Sequence, residues 1–246
     1  MDVKKEKERI ISWLKNHKEQ TNCKGVVLGL SGGKDSTTVA MLLKEVWGEN
    51  FLAVMMPNGQ QKDIDDSYAI AKALGLNYRV VNIENAYQGL LSEIESPTGG
   101  NIKISDKSKT NVQPRLRMTT LYAIAQTLGY QVVGTGNASE RFIGWFTKWG
   151  DGACDFNPIA HLTCTEVVEL GSYLAREAGL DEKFVVKAPS DGLTGRTDED
   201  NFGFTYAELD GYIRGVPAYQ TGENVEKIKN LYQWSRHKLQ MPKTLE

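Results

Sequence analysis

A short segment rich in glycine and serine, near residue 30, combines groups that bind phosphate with one that binds a cation. The segment is Gly29-Leu30-Ser31-Gly32-Gly33-Lys34-Asp35-Ser36. Its adjacent glycines let the backbone approach an anion closely, and its serine hydroxyls add hydrogen-bond donors. Asp35 would repel a bare phosphate, but its carboxylate suits Mg²⁺ that is bound to phosphate. We therefore predict a nucleotide-phosphate loop; the alternative is a Gly-Gly turn with an Asp or Ser cap.

A second set of polar residues follows a later apolar segment. Thr135 and Glu140 come directly after residues 130–134, which we predict to be a strand. Parallel strands collect ligands beyond their carboxyl ends, so Glu140 could meet Asp35 there. The two carboxylates would then share one Mg²⁺, a cation that prefers oxygen ligands. The alternative is that Glu140 is an ordinary carboxylate on a helix surface.

Two cations have the chemistry to bind an anionic substrate. Arg115 lies near the start of a predicted helix, where its planar guanidinium suits a phosphate or carboxylate; a solvated surface arginine is the alternative. Lys148 stands among Trp145, Phe146 and Trp149. An aromatic cluster is more often core than cofactor contact, but an unpaired lysine inside a core is costly. The pattern therefore favours a functional role for Lys148.

The elements that would position these groups alternate between strands and helices. Strands are predicted at 25–30, 51–56, 78–83 and 130–134, and helices at 35–46, 63–74, 86–94 and 111–128. The last of these helices would be capped by Asn111 and would tolerate Pro114 in its first turn, after an irregular loop at 97–110. The alternation predicts the α/β class: a doubly wound, mainly parallel sheet with helices on both faces.

This arrangement gives the phosphate loop a structural context. The loop joins the first strand to a helix, and the helix N-terminus offers unpaired N–H groups and the positive end of its dipole. The loop is not a Walker A sequence, because it lacks the G-K-[ST] ending. We therefore predict an ATP-splitting enzyme of another type.

The last third of the chain is predicted to be mainly helical. Two capping-box patterns, Thr163 to Glu166 and Thr205 to Glu208, open helices, and a final helix spans about 223–237. Residues 190–203 are polar and rich in glycine, with no apolar periodicity, which predicts a mobile lid. The acidic run at 197–200 within this segment is typical of a solvated loop. His237 and Lys238 suit a helix C-terminus, where positive charge is favourable.

Composition narrows the class of protein. Lys+Arg 29 against Asp+Glu 31 leaves a near balance, so no strong field favours nucleic acid or an anionic membrane. Three cysteines without C-x-x-C spacing argue against a disulfide framework. No apolar run approaches the length of a membrane span. We expect a soluble protein in the cytoplasm, built as one domain over residues 1–246.

The phosphate loop resembles S-G-G-x-D-S, the loop of the N-type ATP pyrophosphatases. This superfamily includes GMP, asparagine, argininosuccinate and NAD synthetases and the tRNA-thiolating enzymes. The resemblance implies a Rossmann-like fold of the adenine nucleotide alpha hydrolase type. It also implies cleavage of ATP between the α- and β-phosphates while an oxygen is activated for attack by nitrogen or sulfur.

Further segments resemble the NAD synthetase branch and run in order from about residue 26 to 240. They are Asn111-Val112-Gln113-Pro114-Arg115-Leu116-Arg117-Met118, Gly134-Thr135-Gly136-Asn137-Ala138-Ser139-Glu140, Thr147-Lys148-Trp149-Gly150-Asp151-Gly152 with Asp155 and Pro158, Pro189-Ser190, Thr197-Asp198-Glu199, and His237-Lys238. One such motif could arise by chance, but the ordered series is specific.

The resemblance implies roles for these residues. The loop Gly29–Ser36 would bind ATP together with Thr135, Cys164 and Ser190. The residues implied to bind deamido-NAD are Arg115, Lys148, Asp155, His237 and Lys238. Lys148 would also act in catalysis with Asp151, which would lie where ammonia enters, and Asp35 and Glu140 would bind Mg²⁺.

The chain departs from the family at one position of interest. Cys164 stands where relatives commonly carry a lysine that contacts ATP. A charged hydrogen bond is worth roughly 1.5–3 kcal/mol, so its loss should weaken ATP binding unless another cation replaces it. Lys34 could be that cation, and the sequence does not show which way its side chain points.

The resemblance implies an ammonia-dependent NAD synthetase. Deamido-NAD would be adenylated by ATP, and ammonia would then displace AMP. None of the three cysteines lies in a recognisable nucleophile setting, so free ammonia is expected, with a separate glutaminase subunit left open. The family also implies a homodimer. The alternatives are another amide-forming ATP pyrophosphatase, such as a GMP-synthetase-like enzyme, and a non-catalytic ATP-binding sensor.

Overall fold

The computed structural model describes residues 1–60, 64–187 and 197–245. Its strands are β1 (Val26–Gly29), β2 (Phe51–Met55), β3 (Asn77–Val80) and β4 (Gln131–Val133). Its helices are α1 (Val3–Thr21), α2 (Lys34–Trp47), α3 (Ile64–Ala73), α4 (Glu84–Glu95), α5 (Asp106–Leu128), α6 (Ala138–Ile143), α7 (Cys164–Ala178), α8 (Lys183–Val186), α9 (Asp198–Phe202), α10 (Tyr206–Ile213) and α11 (Glu223–Ser235), with 3₁₀ turns at Gly48–Asn50, Pro217–Tyr219 and Arg236–Lys238.

The strands form a parallel sheet in the order β3-β2-β1-β4. The order reverses between β1 and β4, and in such sheets ligands bind beyond the strands at this switch point. A parallel bridge between Val133 and Phe156 extends β4 on its outer side. The predicted α/β class with a parallel sheet is therefore confirmed.

Alternate residues of β1 pack into different cores because side chains alternate along a strand. Val26 and Leu28 belong to the core that contains residues of α1, α2 and α7. Val27 belongs to the opposite core, with Ala125 of α5. Helices thus cover both faces of the sheet, as predicted. A third core joins α6, α10 and α11 in the C-terminal part.

The start of α5 differs from the prediction. The helix begins at Asp106, capped by Ser105, whose side chain accepts from the Ser108 amide, and Asn111 lies inside it. Ser105 with the following aspartate provides a complete start signal, and this signal prevails over Pro114, which the helix accommodates in its interior. Arg115 consequently lies well inside α5 and not in its first turn.

The segment predicted as an irregular lid is partly helical. Residues 198–202 form α9, capped by Thr197 in a capping box with Asp200. The prediction of irregular chain is therefore wrong for α9, because a local cap stabilises a short helix without apolar periodicity. Residues 190–196, which include Ser190, lie outside the described residues. The capping boxes predicted at Thr163 and Thr205 are both present.

Candidate active site

The predicted phosphate loop leaves the carboxyl end of β1 and enters α2. Gly32 has a φ of +79°, a conformation that side chains other than glycine rarely adopt. A Cβ there would lie 3.1 Å from the Ser67 hydroxyl oxygen of α3. Gly33 is the N-cap of α2 and has no side chain to accept from the first-turn amides. These amides are therefore suited to donate to an anionic oxygen.

Hydroxyl groups preorganise this loop. The Ser31 and Ser36 hydroxyl oxygens are 3.0 Å apart, and the Gly33 amide donates to the Ser31 hydroxyl over 3.3 Å. Ser36 is buried and donates to the Gly33 carbonyl, whereas Ser31 is exposed. Ser31 is thus the loop hydroxyl with direct access to a ligand.

Lys34 points inward and pairs with Asp35. Its Nζ lies 2.6 Å from Asp35 Oδ2, and the lysine side chain is only 4% exposed. Burial lowers the pKa of Lys34, but the carboxylates of Asp35 and Glu140 more than offset it, so that the pKa lies above its usual range. Lys34 is therefore a buried, charged ammonium. The Lys34 side chain, whose direction the sequence did not show, therefore points towards the predicted metal ligands.

Asn137 links the two predicted metal ligands across the switch point. Its side-chain NH₂ donates to Asp35 Oδ1 over 2.9 Å. Its side-chain oxygen accepts from the Glu140 amide over 3.0 Å, and its own amide donates to the Glu140 carboxylate over 3.1 Å. This capping box of α6 brings Glu140 to the phosphate loop. Sequence reasoning missed Asn137, although its spacing to Glu140 is a visible capping signal.

Too little positive charge surrounds Glu140 to keep its pKa in the usual range. Burial first, and then the negative charge of Asp35, raise the pKa of Glu140 well above its usual range, while Lys34 lowers it. Two acidic groups in one low-dielectric site favour a cation between them. The described residues contain no cluster of three or more acidic, His or Cys ligands. A cation here would need oxygen atoms from a ligand or water as well.

Cys164 occupies the same neighbourhood at the start of α7. Its amide donates to the Ser139 hydroxyl over 2.9 Å, and Ser139 in turn donates to Asp210. The Thr165 amide donates to the other Asp210 oxygen over 2.8 Å. Burial raises the pKa of the Cys164 thiol, despite the opposing charge of Lys34. Cys164 is therefore a neutral thiol beside the ammonium of Lys34. Asp210, which no local pattern reveals, fixes α7 against α6.

Arg115 and Lys148 come together as a second group of predicted residues. Arg115 Nε donates to the Lys148 carbonyl over 3.3 Å. The Lys148 ammonium donates to the His237 carbonyl over 2.6 Å and lies 5.2 Å from the Trp149 ring centre. Trp149 has a φ of +62°, which for an aromatic residue marks local strain. His237 is exposed, and its ring lies edge-on to Trp234, so its contact with Lys148 is made through the main chain.

Asp151 and Lys238 lie beside the same loop. Asp151 reaches the surface, but protein surrounds its carboxyl group closely enough for burial to raise its pKa. It accepts from the Thr147 amide over 2.9 Å. The Lys238 ammonium donates to the carbonyls of Gly144 and Phe146, over 2.7 and 2.8 Å. Lys238 therefore acts in this structure as a clamp between the C-terminal segment and the loop.

The two groups share the carboxyl edge of the sheet. Arg117 of α5 donates to the carbonyl of Met56, just after β2, over 3.0 Å. Its charge also acts on Asp151. Arg117 thus ties α5, which carries Arg115, to the strand edge that carries the phosphate loop. The phosphate-loop group and the Lys148 group are the two halves of one candidate site.

The remaining predicted residues lie around β4. Asp155 accepts from the Val132 amide over 2.7 Å and from the Tyr122 hydroxyl over 3.3 Å. Burial, followed by the charge of Asp155, raises the pKa of Tyr122 to about 12. Thr135 is half-buried in the turn after β4, on the way to Asn137. Ser190 lies outside the described residues.

Comparison with known proteins gives the chain its relatives. Residues 6–242 match the model of a family described as NAD synthase. A protein of Carboxydothermus hydrogenoformans named NH₃-dependent NAD⁺ synthetase is 43% identical over 237 residues, 96% of this chain and 94% of the relative. An NMN synthetase from Francisella tularensis superposes with a TM-score of 0.88 at 34% identity, covering 100% of this chain and 99% of that one. An NH₃-dependent NAD synthetase from Campylobacter jejuni superposes with a TM-score of 0.80 at 29% identity, covering 100% of both chains.

These matches extend over the phosphate loop, the α5 segment and the Lys148 loop alike. They confirm the resemblance that the ordered motifs indicated and do not favour the GMP-synthetase-like alternative. With agreement in sequence and fold over nearly all of its length, the chain belongs to the NAD synthase family.

Proposed function

We propose that this chain converts deamido-NAD, ATP and ammonia into NAD, AMP and pyrophosphate through an acyl-adenylate. The observation that carries the proposal is the pairing of two groups at one sheet edge. The phosphate loop with Asp35 and Glu140 suits a polyphosphate and its cation, and the loop bearing Lys148 and Asp151 suits an anionic substrate and a nucleophile. Membership of the NAD synthase family selects the reaction.

In the first step, the nicotinic-acid carboxylate attacks the α-phosphorus of ATP and pyrophosphate departs. Negative charge grows on the departing pyrophosphate, and donors that are already in place stabilise it without reorganisation. The exposed Ser31 hydroxyl and the first-turn amides of α2 provide such donors. We assign ATP binding to Gly29–Ser36 with Thr135, and assign Cys164 to the wall of the same site. Ser190 stays a prediction.

The donor set at Asp35 and Glu140 fits Mg²⁺. Mg²⁺ commonly uses one or two carboxylates and completes its octahedron with phosphate oxygens and water. The raised pKa of Glu140 indicates a site that lacks positive charge, which such a dication would supply. When bound, Mg²⁺ would neutralise charge on the polyphosphate. Asp35 and Glu140 would hold it, with Asn137 fixing the position of both.

In the second step, ammonia attacks the acyl carbon and AMP leaves. The attacking nitrogen must lose a proton, and Asp151 is our candidate to accept it. Its raised pKa makes its carboxylate a better base than a solvated one. Lys148 lies in the same loop, and its charge would stabilise the anionic substrate. Arg115, Asp155 and the segment at 237–238 would bind deamido-NAD, with Lys238 acting through the loop that it clamps.

The mixed anhydride formed in the first step must be shielded from water. We propose that residues 190–203, including α9, close over the site for this purpose. We also propose free ammonia as the nitrogen source. Burial raises the pKa of the Cys154 and Cys164 thiols, which makes them poor nucleophiles. A separate glutaminase subunit is the alternative source of ammonia. We also propose one synthetase domain over residues 1–246 and a cytoplasmic location.

We further propose a homodimer that forms through α5. Of the 23 residues of this helix, only Pro114 and Ala125 are buried. Apolar side chains along it, including Leu116, Met118 and Tyr122, remain partly exposed. Apolar side chains left partly exposed along one helix are typical of an interface between subunits. Analytical ultracentrifugation of the wild type and of Met118→Glu tests the dimer.

None of the helices in the described residues is long and apolar enough to cross a membrane.

A second acceptor is favoured by one observation, the superposition on an NMN synthetase. The same chemistry on nicotinic acid mononucleotide would give NMN. The deciding experiment incubates the chain with ATP, Mg²⁺ and ammonium and with either acceptor. NAD and AMP formed in equal amounts support the main proposal. Preference for the mononucleotide favours the second acceptor, AMP with another acceptor favours a different amide synthetase, and binding without turnover favours a sensor.

A further inference from the structure

The ammonium of Lys34 pairs with a carboxylate that we assign to the metal site. It is buried, lies 2.6 Å from Asp35 Oδ2, and interacts electrostatically with Glu140 as well. It also lies 5.6 Å from the ring centre of Tyr206, which closes the site from the α10 side. One lysine therefore already neutralises part of the charge on the carboxylates that we assign to Mg²⁺.

The charges in this cluster explain why a free dication would bind poorly. The Lys34 ammonium lies 2.6 Å from Asp35 Oδ2 and its side chain is buried, so Mg²⁺ bound to the same carboxylate would lie beside a second buried positive charge. Like charges this close in a buried site repel each other strongly, so the ammonium must move and an anion must arrive with the metal. The polyphosphate of ATP is such an anion, and Lys34 occupies the first position of α2, next to the phosphate loop.

We propose that Lys34 is an exchangeable counter-ion of the metal site. It pairs with Asp35, beside Glu140, in the absence of nucleotide, and yields the Asp35 carboxylate to Mg²⁺ when ATP binds. Its ammonium then turns to an oxygen of the polyphosphate. This inference rests on the proposed ATP and Mg²⁺ site. It gives the Lys34 ammonium two successive partners, first the Asp35 carboxylate and then the polyphosphate. Binding of the metal therefore depends on the nucleotide.

The physical basis is the length and charge of the lysine side chain. Lysine carries a point charge on a flexible four-carbon stem, so its ammonium can move while α2 stays fixed. The neutral thiol of Cys164 leaves the neighbouring position without a cation. Lys34 therefore provides a buried positive charge with which this wall of the site can bind phosphate.

The test is Lys34→Gln, with Mn²⁺ as an EPR-visible ion that favours the same oxygen ligands. Removing the counter-ion should strengthen binding of Mn²⁺ alone by about tenfold or more. It should weaken binding of Mn²⁺ with a non-hydrolysable ATP analogue by about tenfold or more, as expected for one lost charged hydrogen bond. The opposite signs distinguish exchange from a purely structural role. Affinities that change in the same direction, or unchanged binding of Mn²⁺ alone, overturn the proposal.

Two further variants complete the experiment. Lys44→Gln removes a lysine from the far end of α2, where it bonds the Gly75 carbonyl, and should leave both affinities unchanged. Lys34→Gln/Cys164→Lys returns a cation from α7 and should restore weak Mn²⁺ binding and tight nucleotide binding. If Lys34→Gln does not fold, this double variant decides, and loss of nucleotide binding in it overturns the proposal. All titrations omit deamido-NAD and ammonia, so their outcome is separate from that of the amidation reaction.

Discussion

Asn137→Ala should loosen the candidate site more than its small size suggests. Asn137 is fully buried and spans the switch point of the sheet. Its NH₂ group donates to Asp35, which is 102 positions away in sequence, and its oxygen caps α6 at the Glu140 amide. One substitution therefore breaks a bond to one proposed metal ligand and the helix cap beside the other.

The magnitude follows from the two bonds that are lost. An N-cap is worth about 1 kcal/mol, and a hydrogen bond to a charged group about 1.5–3 kcal/mol. Because the bonds share one side chain, we expect Asn137→Ala to lower the free energy of unfolding by about 2–4 kcal/mol. Asn137→Ser keeps a capping oxygen but cannot reach Asp35, and we expect a loss of about 1.5–3 kcal/mol.

Urea unfolding and Mn²⁺ titration with an ATP analogue measure the two consequences. Ser105→Ala is the matched control, because Ser105 caps α5 by accepting from the Ser108 amide and lies far along that helix from the site. It should cost about 1 kcal/mol and leave Mn²⁺ affinity unchanged. The reasoning is refuted if Asn137→Ala costs no more stability than Ser105→Ala, or if its Mn²⁺ affinity equals that of the wild type.

Four further outcomes are expected. Because the pKa of Asp151 is raised, kcat/KM for ammonia should fall on the acid side as this carboxylate is protonated, and Asp151→Asn should lower activity and remove that limb of the pH profile. The same raised pKa means that ionisation of Asp151 opposes folding. The stability that protonated Asp151 contributes is present below its ordinary pKa and is lost as pH rises through the raised value. Urea titrations of the wild type and of Asp151→Asn across this pH range measure that contribution. Gly32→Ala should reduce stability by about 1–2 kcal/mol and weaken ATP binding, since its φ of +79° suits glycine, with Gly89→Ala on exposed α4 as the control in urea and calorimetric titrations. Lys238→Met removes two bonds to loop carbonyls and should raise KM for deamido-NAD with little effect on KM for ATP; equal effects on both would contradict the clamp.

The sequence was informative wherever a signal is local. The strand–loop–helix order, the capping boxes and the alternation of elements predict the parallel sheet and the phosphate loop, because short-range backbone bonding and side-chain period decide them. Local signals also failed where two competed. Ser105 starts α5 ahead of Asn111, and the cap at Thr197 makes a helix in a segment without apolar period.

Contacts between distant residues were decided by the tertiary structure. The bond from Asn137 to Asp35, the role of Asp210 behind Ser139, and the clamp by Lys238 depend on how helices pack at the sheet edge. The sequence named Lys34 and Asp35 as neighbours in a phosphate loop. Only the packing of α6 and α10 on that loop turned the lysine inward, because burying its ammonium requires carboxylates from two separate parts of the chain.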